Sequence, residues 1–240
     1  MRIWDIHPGY LSQKSLLGEH SEIHALYSIL SDHRKGFSNH PETLRWSGNL
    51  NSLIMRHELI AKEMILRKIK HQSPISFLIK SEGMYYSEYY INFPEVQIEI
   101  LRERYLDKPQ IGRIPLPERG TEYWAHHKYS VMARGYRYYK EVQKYIKQSK
   151  DCPISQEHDL LQKIQLYIQK PISIVAINNV IEHLWGYVNI KSLEREKMIF
   201  FDMRNSSAKL DYLFKIAKKY QEKYLLHSTI FADFIPIKEN

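Results

Sequence analysis

The sequence predicts an all-α protein, built as two helical domains joined by an irregular connector rich in proline and tyrosine. Apolar residues recur mainly at the three- and four-residue spacing of helices, and the breaks between these segments coincide with proline, asparagine and glycine. Glycine and proline are few, at 9 and 10 of 240 residues, and no internal repeat is present. The predicted boundaries are 1–75 for the first domain, 76–117 for the connector and 118–240 for the second domain.

Three helices are predicted in the first domain. The first begins near Ser15, and its apolar positions are Leu16, Ile23, Leu26, Tyr27 and Leu30. A turn at 39–41 separates it from a short helix over 41–46, which has proline in its first turn. An amphipathic helix over 51–70 follows and ends in a basic turn.

The connector is expected to lie over the surface and to contain one helix, from Pro94 to Leu106. A second helical region extends from about Glu118 to about Tyr224, with breaks at 151–153, 170–171 and 205–207. We also expect a turn at Gly186.

Composition and motifs exclude several classes of protein. A hydrophobic content of 43% and a charged content of 26% are ordinary for a globular domain. Because the chain has no G-x-G-x-x-G and no Walker-type lysine loop, we expect no cofactor. The single cysteine, Cys152, excludes a disulfide framework and fits a reducing compartment. No stretch approaches the roughly 20 apolar residues that span a bilayer, so we expect a cytoplasmic protein with no membrane partner.

The net charge of +8 is compatible with nucleic-acid binding. Four basic residues at i, i+3, i+7 and i+10 spacing predict one stripe on a helix: Arg137, Lys140, Lys144 and Lys147. Four residues on another face are expected to pack inward: Met132, Tyr136, Tyr139 and Ile146. The stripe is interpreted either as a DNA contact or as a solvated face.

Seven of the twelve histidines lie in the first 75 residues. His20 and His24 stand four residues apart, a spacing that can chelate zinc from one helix face, and His40 or His7 could supply a third ligand. Glu22 lies about 200° around the helix from His20, so it faces away from that pair. A hydrogen-bonded structural pair is the favoured interpretation, no metal is expected, and a metal-dependent hydrolase is the least favoured function.

The first residues place an α-amino group, an arginine and a helix carboxylate within one short stretch. An α-amino group titrates at about pH 7.7–8.0, so a usable fraction is neutral at cellular pH. A neutral amine beside a carboxylate can attack an electrophilic sugar carbon and form a Schiff base.

The opening of the chain resembles the pyrimidine-dimer DNA glycosylase family of the phage endonuclease V type. The similarity runs without a gap through Arg2-Ile3, Leu11, Leu16, Glu19 and Glu22-Ile23. It implies that the amine of Met1 is the nucleophile, that Glu22 is its acid–base partner, and that glycosylase and abasic-site lyase activities act on damaged pyrimidines. The phage enzymes lose their initiator methionine. Here the bulky Arg2 is expected to prevent that removal, which places Met1 where their processed terminus lies.

A longer bacterial branch of that family is a nearer match, through 7–11 (HPGYL), 16–24 (LLGEHSEIH) and 40–46 (HPETLRW). The sequence departs from the phage pattern at Ser21 and Ala25, where that pattern has arginines that contact phosphate or the lesion. The resemblance implies a phosphate contact for Arg2. The candidate replacements for the two missing arginines are His20, His24, Arg45 and Arg56.

The second domain resembles a small helical domain of unknown function, through 126–133 (HHKYSVMA) and 178–187 (NNVIEHLWGY). In other proteins that domain is joined to a thiouridine desulfidase and is thought to hold tRNA, which implies nucleic-acid handling. The predicted function is therefore repair of damaged duplex DNA. The alternative is a non-catalytic adaptor that binds RNA or tRNA.

Overall fold

The computed structural model describes residues 1–32, 36–75, 89–106, 111–149 and 151–234. Within these ranges it contains twelve α-helices and no β-strand, so the all-α prediction is confirmed. The helices are α1 (Gln13–Ser31), α2 (Pro41–Trp46), α3 (Leu50–Leu66), α4 (Pro94–Leu106), α5 (Gly120–Arg134), α6 (Tyr136–Gln148), α7 (His158–Ile168), α8 (Ile174–Asn189), α9 (Glu194–Asp202), α10 (Ser206–Lys219), α11 (Lys223–Leu226) and α12 (Ile230–Asp233). In the part of the chain so described, no helix combines the length and apolar character needed to cross a bilayer.

The first three helices lie close to their predicted positions. Helix α1 begins at Gln13, two residues before Ser15, because the Ser12 hydroxyl caps it by accepting a hydrogen bond from the Ser15 N–H at 3.2 Å. Helix α2 has its predicted bounds. Helix α3 ends at Leu66, four residues early, and Lys68 beyond it has a φ of +61°. Helix α1 packs along α3, and this pair supports the amino-terminal segment.

The connector differs from its predicted surface position. Helix α4 has the predicted bounds, but Gln97, Ile98 and Leu101 are buried, and the helix packs against α7. Gly112 lies so close to the preceding chain that a Cβ there would stand 2.3 Å from the Gly9 carbonyl oxygen. These parts of the connector are therefore interior. Residues 76–88 and 107–110 of it lie outside the described ranges.

The carboxyl-terminal half follows the predicted breaks, with several additional breaks and one correction. Additional breaks lie at 190–193 and 220–222. The chain also breaks at Gly135, between α5 and α6, where φ is +157°, a value that favours glycine. The turn expected at Gly186 is wrong, because that residue lies inside α8. One buried apolar cluster extends from Ile3 to Ala232, so the two halves share a core. The exact domain boundaries stay a prediction.

Candidate active site at the amino terminus

The amino-terminal segment is buried chain without a neighbouring strand, so side chains must satisfy its amide groups. Four consecutive N–H groups, from Arg2 to Asp5, donate to side-chain oxygens of α1, α2 and α4. Arg2 donates to Glu22, Ile3 to Glu42 at 3.1 Å, Trp4 to Glu19 at 3.1 Å, and Asp5 to Gln97 at 2.8 Å. These contacts fix the path of the segment and hold its first residue beside α1.

Two buried arginines satisfy carbonyl groups of the same segment. Arg45 donates to the Ile3 oxygen at 2.9 Å and pairs with Asp5 at 2.7 Å. Arg56, fully buried, donates to the Ile6 oxygen at 3.0 Å and to both oxygens of Glu19. A side chain enclosed in this way has no surface to offer a phosphate. The predicted DNA contacts of Arg45 and Arg56 are therefore corrected to interior ion pairs.

The terminal amine lies beside Glu22. The Met1 nitrogen is 4.0 Å from the Glu22 Oε1 atom, while the other carboxylate oxygen accepts the Arg2 N–H. The Met1 side chain is 10% exposed and the Glu22 side chain is 37% exposed. One oxygen of Glu22 is thus held by the Arg2 N–H. The other oxygen faces the amine, and the side chain is partly exposed to solvent.

Arg2 lies at the edge of this site. Its guanidinium donates to the Asn92 side-chain oxygen at 2.9 Å and stands 4.3 Å from the centre of the buried Trp4 ring. The exposed Arg104 of α4 stands 5.2 Å from the same ring. Burial, followed by the charge of Arg104, lowers the pKa of Arg2. Two cationic side chains are therefore gathered on one indole of the amino-terminal segment.

Burial is the main cause of the pKa shifts of the carboxylates in and around the amino-terminal segment. Burial raises the pKa of Glu42 and of Asp5, and the charge of Arg45 opposes the shift in both. Burial also raises the pKa of Glu19 to about 7, against the pull of Arg56. These groups fix the segment in place, whereas Glu22 stands outside the buried network.

Comparison with known families agrees with this geometry. Residues 1–77 match the family model of pyrimidine dimer DNA glycosylases. The resemblance of the opening residues to this family is thus confirmed for this part of the chain. Residues 128–234 match a separate family, described as protein of unknown function (DUF1722). No curated protein and no solved structure matches the chain.

The glycosylase match supports a pyrimidine dimer DNA glycosylase-type function and implies DNA as the partner. The matched segment contains Met1, Arg2 and Glu22. Sequence reasoning missed Asn92, which precedes α4, and Arg104, which lies on α4; both are beyond that segment. No motif marks them, and only the packing of α4 against the amino terminus could have found them.

The positions of the two arginines that phage members carry are surface positions here. Ser21 and Ala25 are both exposed on α1, on either side of the partly buried Glu22. The face of α1 at these two positions is therefore uncharged, and the two cations gathered on Trp4 are Arg2 and Arg104.

The histidines within residues 1–77 do not assemble with the third ligand that the metal alternative named. His40 caps α2 by accepting the Glu42 N–H, and His7 is buried and accepts the Gly9 N–H, so neither joins His20 and His24. Instead His57 of α3 and His71 complete a group of four rings. His20 and His24 thus belong to a histidine cluster between α1 and α3, and their contacts with nucleic acid stay a prediction.

The basic stripe of the second half is present as predicted. Arg137, Lys140, Lys144 and Lys147 all lie on α6 and are all exposed. Of the residues expected to pack inward, Met132 is buried, and Tyr139 and Ile146 are partly buried. Tyr136 is exposed, because the break at Gly135 starts α6 at that residue.

Proposed function

We propose that the chain is a DNA glycosylase with abasic-site lyase activity on damaged pyrimidines. The Met1 amine is the nucleophile and the Glu22 carboxylate is its acid–base partner. The observation that carries this proposal is the 4.0 Å separation of the Met1 nitrogen from Glu22 Oε1. Catalytic hydrogen bonds are commonly loose before substrate binds, so this distance suits a pair that closes on the sugar.

The first step replaces the base with the amine. The Met1 nitrogen forms a bond to C1′ of the deoxyribose while the bond from C1′ to the base breaks. The base leaves with that electron pair and takes up a proton. Glu22 stabilises the positive charge that develops on the sugar and receives the proton released from the nitrogen.

The second step breaks the strand. Glu22 returns its proton to O4′ as the C1′–O4′ bond opens, which gives a protonated imine on Met1, acidifies the adjacent C2′ position and leaves Glu22 as a carboxylate again. Glu22 removes the C2′ proton, and the electron pair forms a C2′–C3′ double bond as the 3′ phosphate leaves. Water then hydrolyses the imine and restores the amine.

Arg2 and Arg104 are the groups that would hold the DNA backbone in this reaction. A guanidinium gives bidentate contacts to phosphate, and these two lie on the Trp4 ring of the amino-terminal segment. The sugar can reach the amine only if the damaged nucleotide, or its partner, leaves the base stack. We therefore assign Arg2 and Arg104 to the phosphates that flank an unstacked nucleotide.

The test traps the imine. DNA with one abasic site is incubated with the protein and reduced with borohydride, and peptide mapping locates the covalent adduct. We expect the adduct on the Met1 nitrogen and its loss when that nitrogen is acetylated. Lys14→Ala, which removes an exposed amine on α1, is the matched control and should give the full yield. An adduct on a lysine, or equal yield from acetylated protein, would overturn the amine assignment.

The exposed stripe on α6 supports the second candidate, a non-catalytic adaptor for RNA or tRNA. Each phosphate contact that is lost lowers the salt dependence of binding. Neutralising all four basic residues should weaken DNA or RNA binding and flatten its salt slope without changing the folding. If the protein gives no borohydride adduct but binds tRNA more tightly than abasic DNA, the adaptor replaces the enzyme. Unchanged affinity across the salt series removes the stripe from the binding surface.

A further inference from the structure

Four histidines meet between α1 and α3. His20 and His24 lie one turn apart on α1, His57 comes from α3, and His71 follows that helix. Five pairs of their ring centres lie 4.7–5.1 Å apart. The cluster therefore joins three parts of the chain that are distant in sequence.

Ring nitrogens, and not only ring faces, converge in this cluster. One nitrogen from each of His20, His24 and His57 lies within 4.8 Å of the other two. The Nε2 atoms of His20 and His71 are 3.1 Å apart. Ligand nitrogens in a tetrahedral zinc site lie about 3.4 Å apart, so small ring rotations would bring this set into coordination geometry.

Two of these nitrogens are buried without a hydrogen-bond partner among the described residues. They are the Nε2 atoms of His24 and His57, and the His57 side chain is wholly buried. A buried ring nitrogen that lacks a partner is costly, because it has given up its hydrogen bond to water. A bound cation would supply the missing partner.

The remaining nitrogen of His57 has its own partner. Its Nδ1–H donates to the Glu58 carboxylate at 3.0 Å. This bond fixes the tautomer and leaves the Nε2 lone pair free to bind a metal, as in the carboxylate–histidine pairs that support metal sites. Glu58 thus acts as a positioning residue for His57.

We propose that His20, His24, His57 and His71 form a binding site for a divalent transition-metal ion that fastens α1 to α3. Imidazole nitrogens without a carboxylate ligand select zinc, nickel or copper over magnesium or calcium. Glu22 lies on the opposite face of α1, about 200° from His20, so this site is separate from the proposed nucleophile. The ion would stabilise the helix pair that carries the amino-terminal site.

The test measures metal binding by the full-length protein without a histidine tag, after removal of metals with a chelator. Titration with Zn²⁺ against a chromophoric chelator should give one equivalent per chain, and Co²⁺ should give the visible absorption of a low-coordinate nitrogen site. His57→Ala and His71→Ala should each weaken Zn²⁺ binding by at least about 100-fold, and Glu58→Gln by about 10-fold. Bound Zn²⁺ should raise the melting temperature of the unmodified protein.

Two controls separate metal binding from folding and from surface histidines. His183→Ala removes an exposed histidine of α8 and should bind Zn²⁺ as the unmodified protein does. His71→Ala lies outside the helices, so its circular dichroism should be unchanged even if His57→Ala unfolds. Less than a tenth of an equivalent of Zn²⁺, Ni²⁺ and Cu²⁺ bound by the unmodified protein would overturn the site, as would full binding by His71→Ala. Because the measurement is binding and not strand cleavage, it stands apart from the fate of the lyase proposal.

Discussion

Glu19 and Glu22 stand three residues apart on α1, and both accept an N–H from the amino-terminal segment. Their surroundings differ. Glu19 is buried with both oxygens held by Arg56, whereas Glu22 is 37% exposed and faces the Met1 amine. One helix therefore presents one carboxylate to the interior and another to the terminal amine.

The difference teaches that burial and pairing, not residue type, separate a structural carboxylate from a reactive one. A carboxylate held by a guanidinium loses a buried ion pair when it accepts a proton, so its protonation is coupled to the stability of the fold. A partly exposed carboxylate anchored through one oxygen can exchange protons through the other. Replacing each of the two glutamates by glutamine in turn is the direct test of this contrast.

The largest expected effect is on catalysis by Glu22→Gln. The amide keeps an oxygen for the Arg2 N–H but cannot take a proton, so the rate of strand cleavage at an abasic site should fall about 10²–10⁴-fold. Single-turnover cleavage kinetics measure this loss. Glu103→Gln, which changes an exposed glutamate beside Arg104, should cleave at the normal rate. Normal cleavage by Glu22→Gln would remove this carboxylate from the mechanism.

Next in size is the effect of Glu19→Gln on stability. The substitution leaves the Arg56 charge buried without its counterion, and we expect the free energy of unfolding to fall by about 3–5 kcal/mol. Urea denaturation measures the loss, and Glu22→Gln should lose less than about 1 kcal/mol. Adding Arg56→Met to Glu19→Gln should recover part of the loss. Equal stability of the two glutamine variants would contradict the contrast.

The sequence predicted the helices better than it predicted the site. The sequence predicted both bounds of α2 and of α4 correctly, because each helix begins at a proline and carries a periodic pattern. The pattern could not show that Arg45 and Arg56 are buried, since an arginine is assigned to the surface unless the partners of its charge are known. It could not join His57 and His71 to His20 either, because only the packing of α3 on α1 brings them together. Likewise, Gly186 in α8 needs no special backbone angle, so a glycine alone did not mark a turn.

A third carboxylate extends the contrast into a pH effect. Glu63 of α3 is buried, which raises its pKa, but the charges of Arg113 and then Arg67 outweigh burial, and the net pKa is lowered. A lowered folded-state pKa means that the ionised form stabilises the fold. That stability is complete above the unfolded pKa of about 4.5 and is lost as the pH falls through the folded-state value.

We therefore expect the unfolding free energy to fall below about pH 4.5, with Glu63 contributing at most about 1.4 kcal/mol per pH unit. Urea denaturation from pH 7 to pH 3 measures the slope. Glu63→Gln should be less stable at pH 7 and should show a shallower acid slope. Glu103→Gln is the control, because that glutamate is exposed and should leave the slope unchanged. An unaltered acid slope in Glu63→Gln would show that its ion pairs with Arg67 and Arg113 do not govern acid stability.

The smallest expected effect is on DNA affinity. The arginines, like the glutamates, include a buried member and an exposed one. Arg56 is enclosed, whereas Arg104 is exposed beside Arg2 and Trp4, so only Arg104 is free to meet a phosphate. Arg104→Ala should weaken binding to abasic DNA by about tenfold, and the slope of log affinity against log salt should become shallower by about 0.9, the share of one phosphate contact. Arg195→Ala removes the same charge from an exposed position on α9, so fluorescence anisotropy across a salt series should show no comparable change. Equal salt slopes for the two alanine variants would mean that net charge, and not a contact beside the amine, carries the DNA affinity.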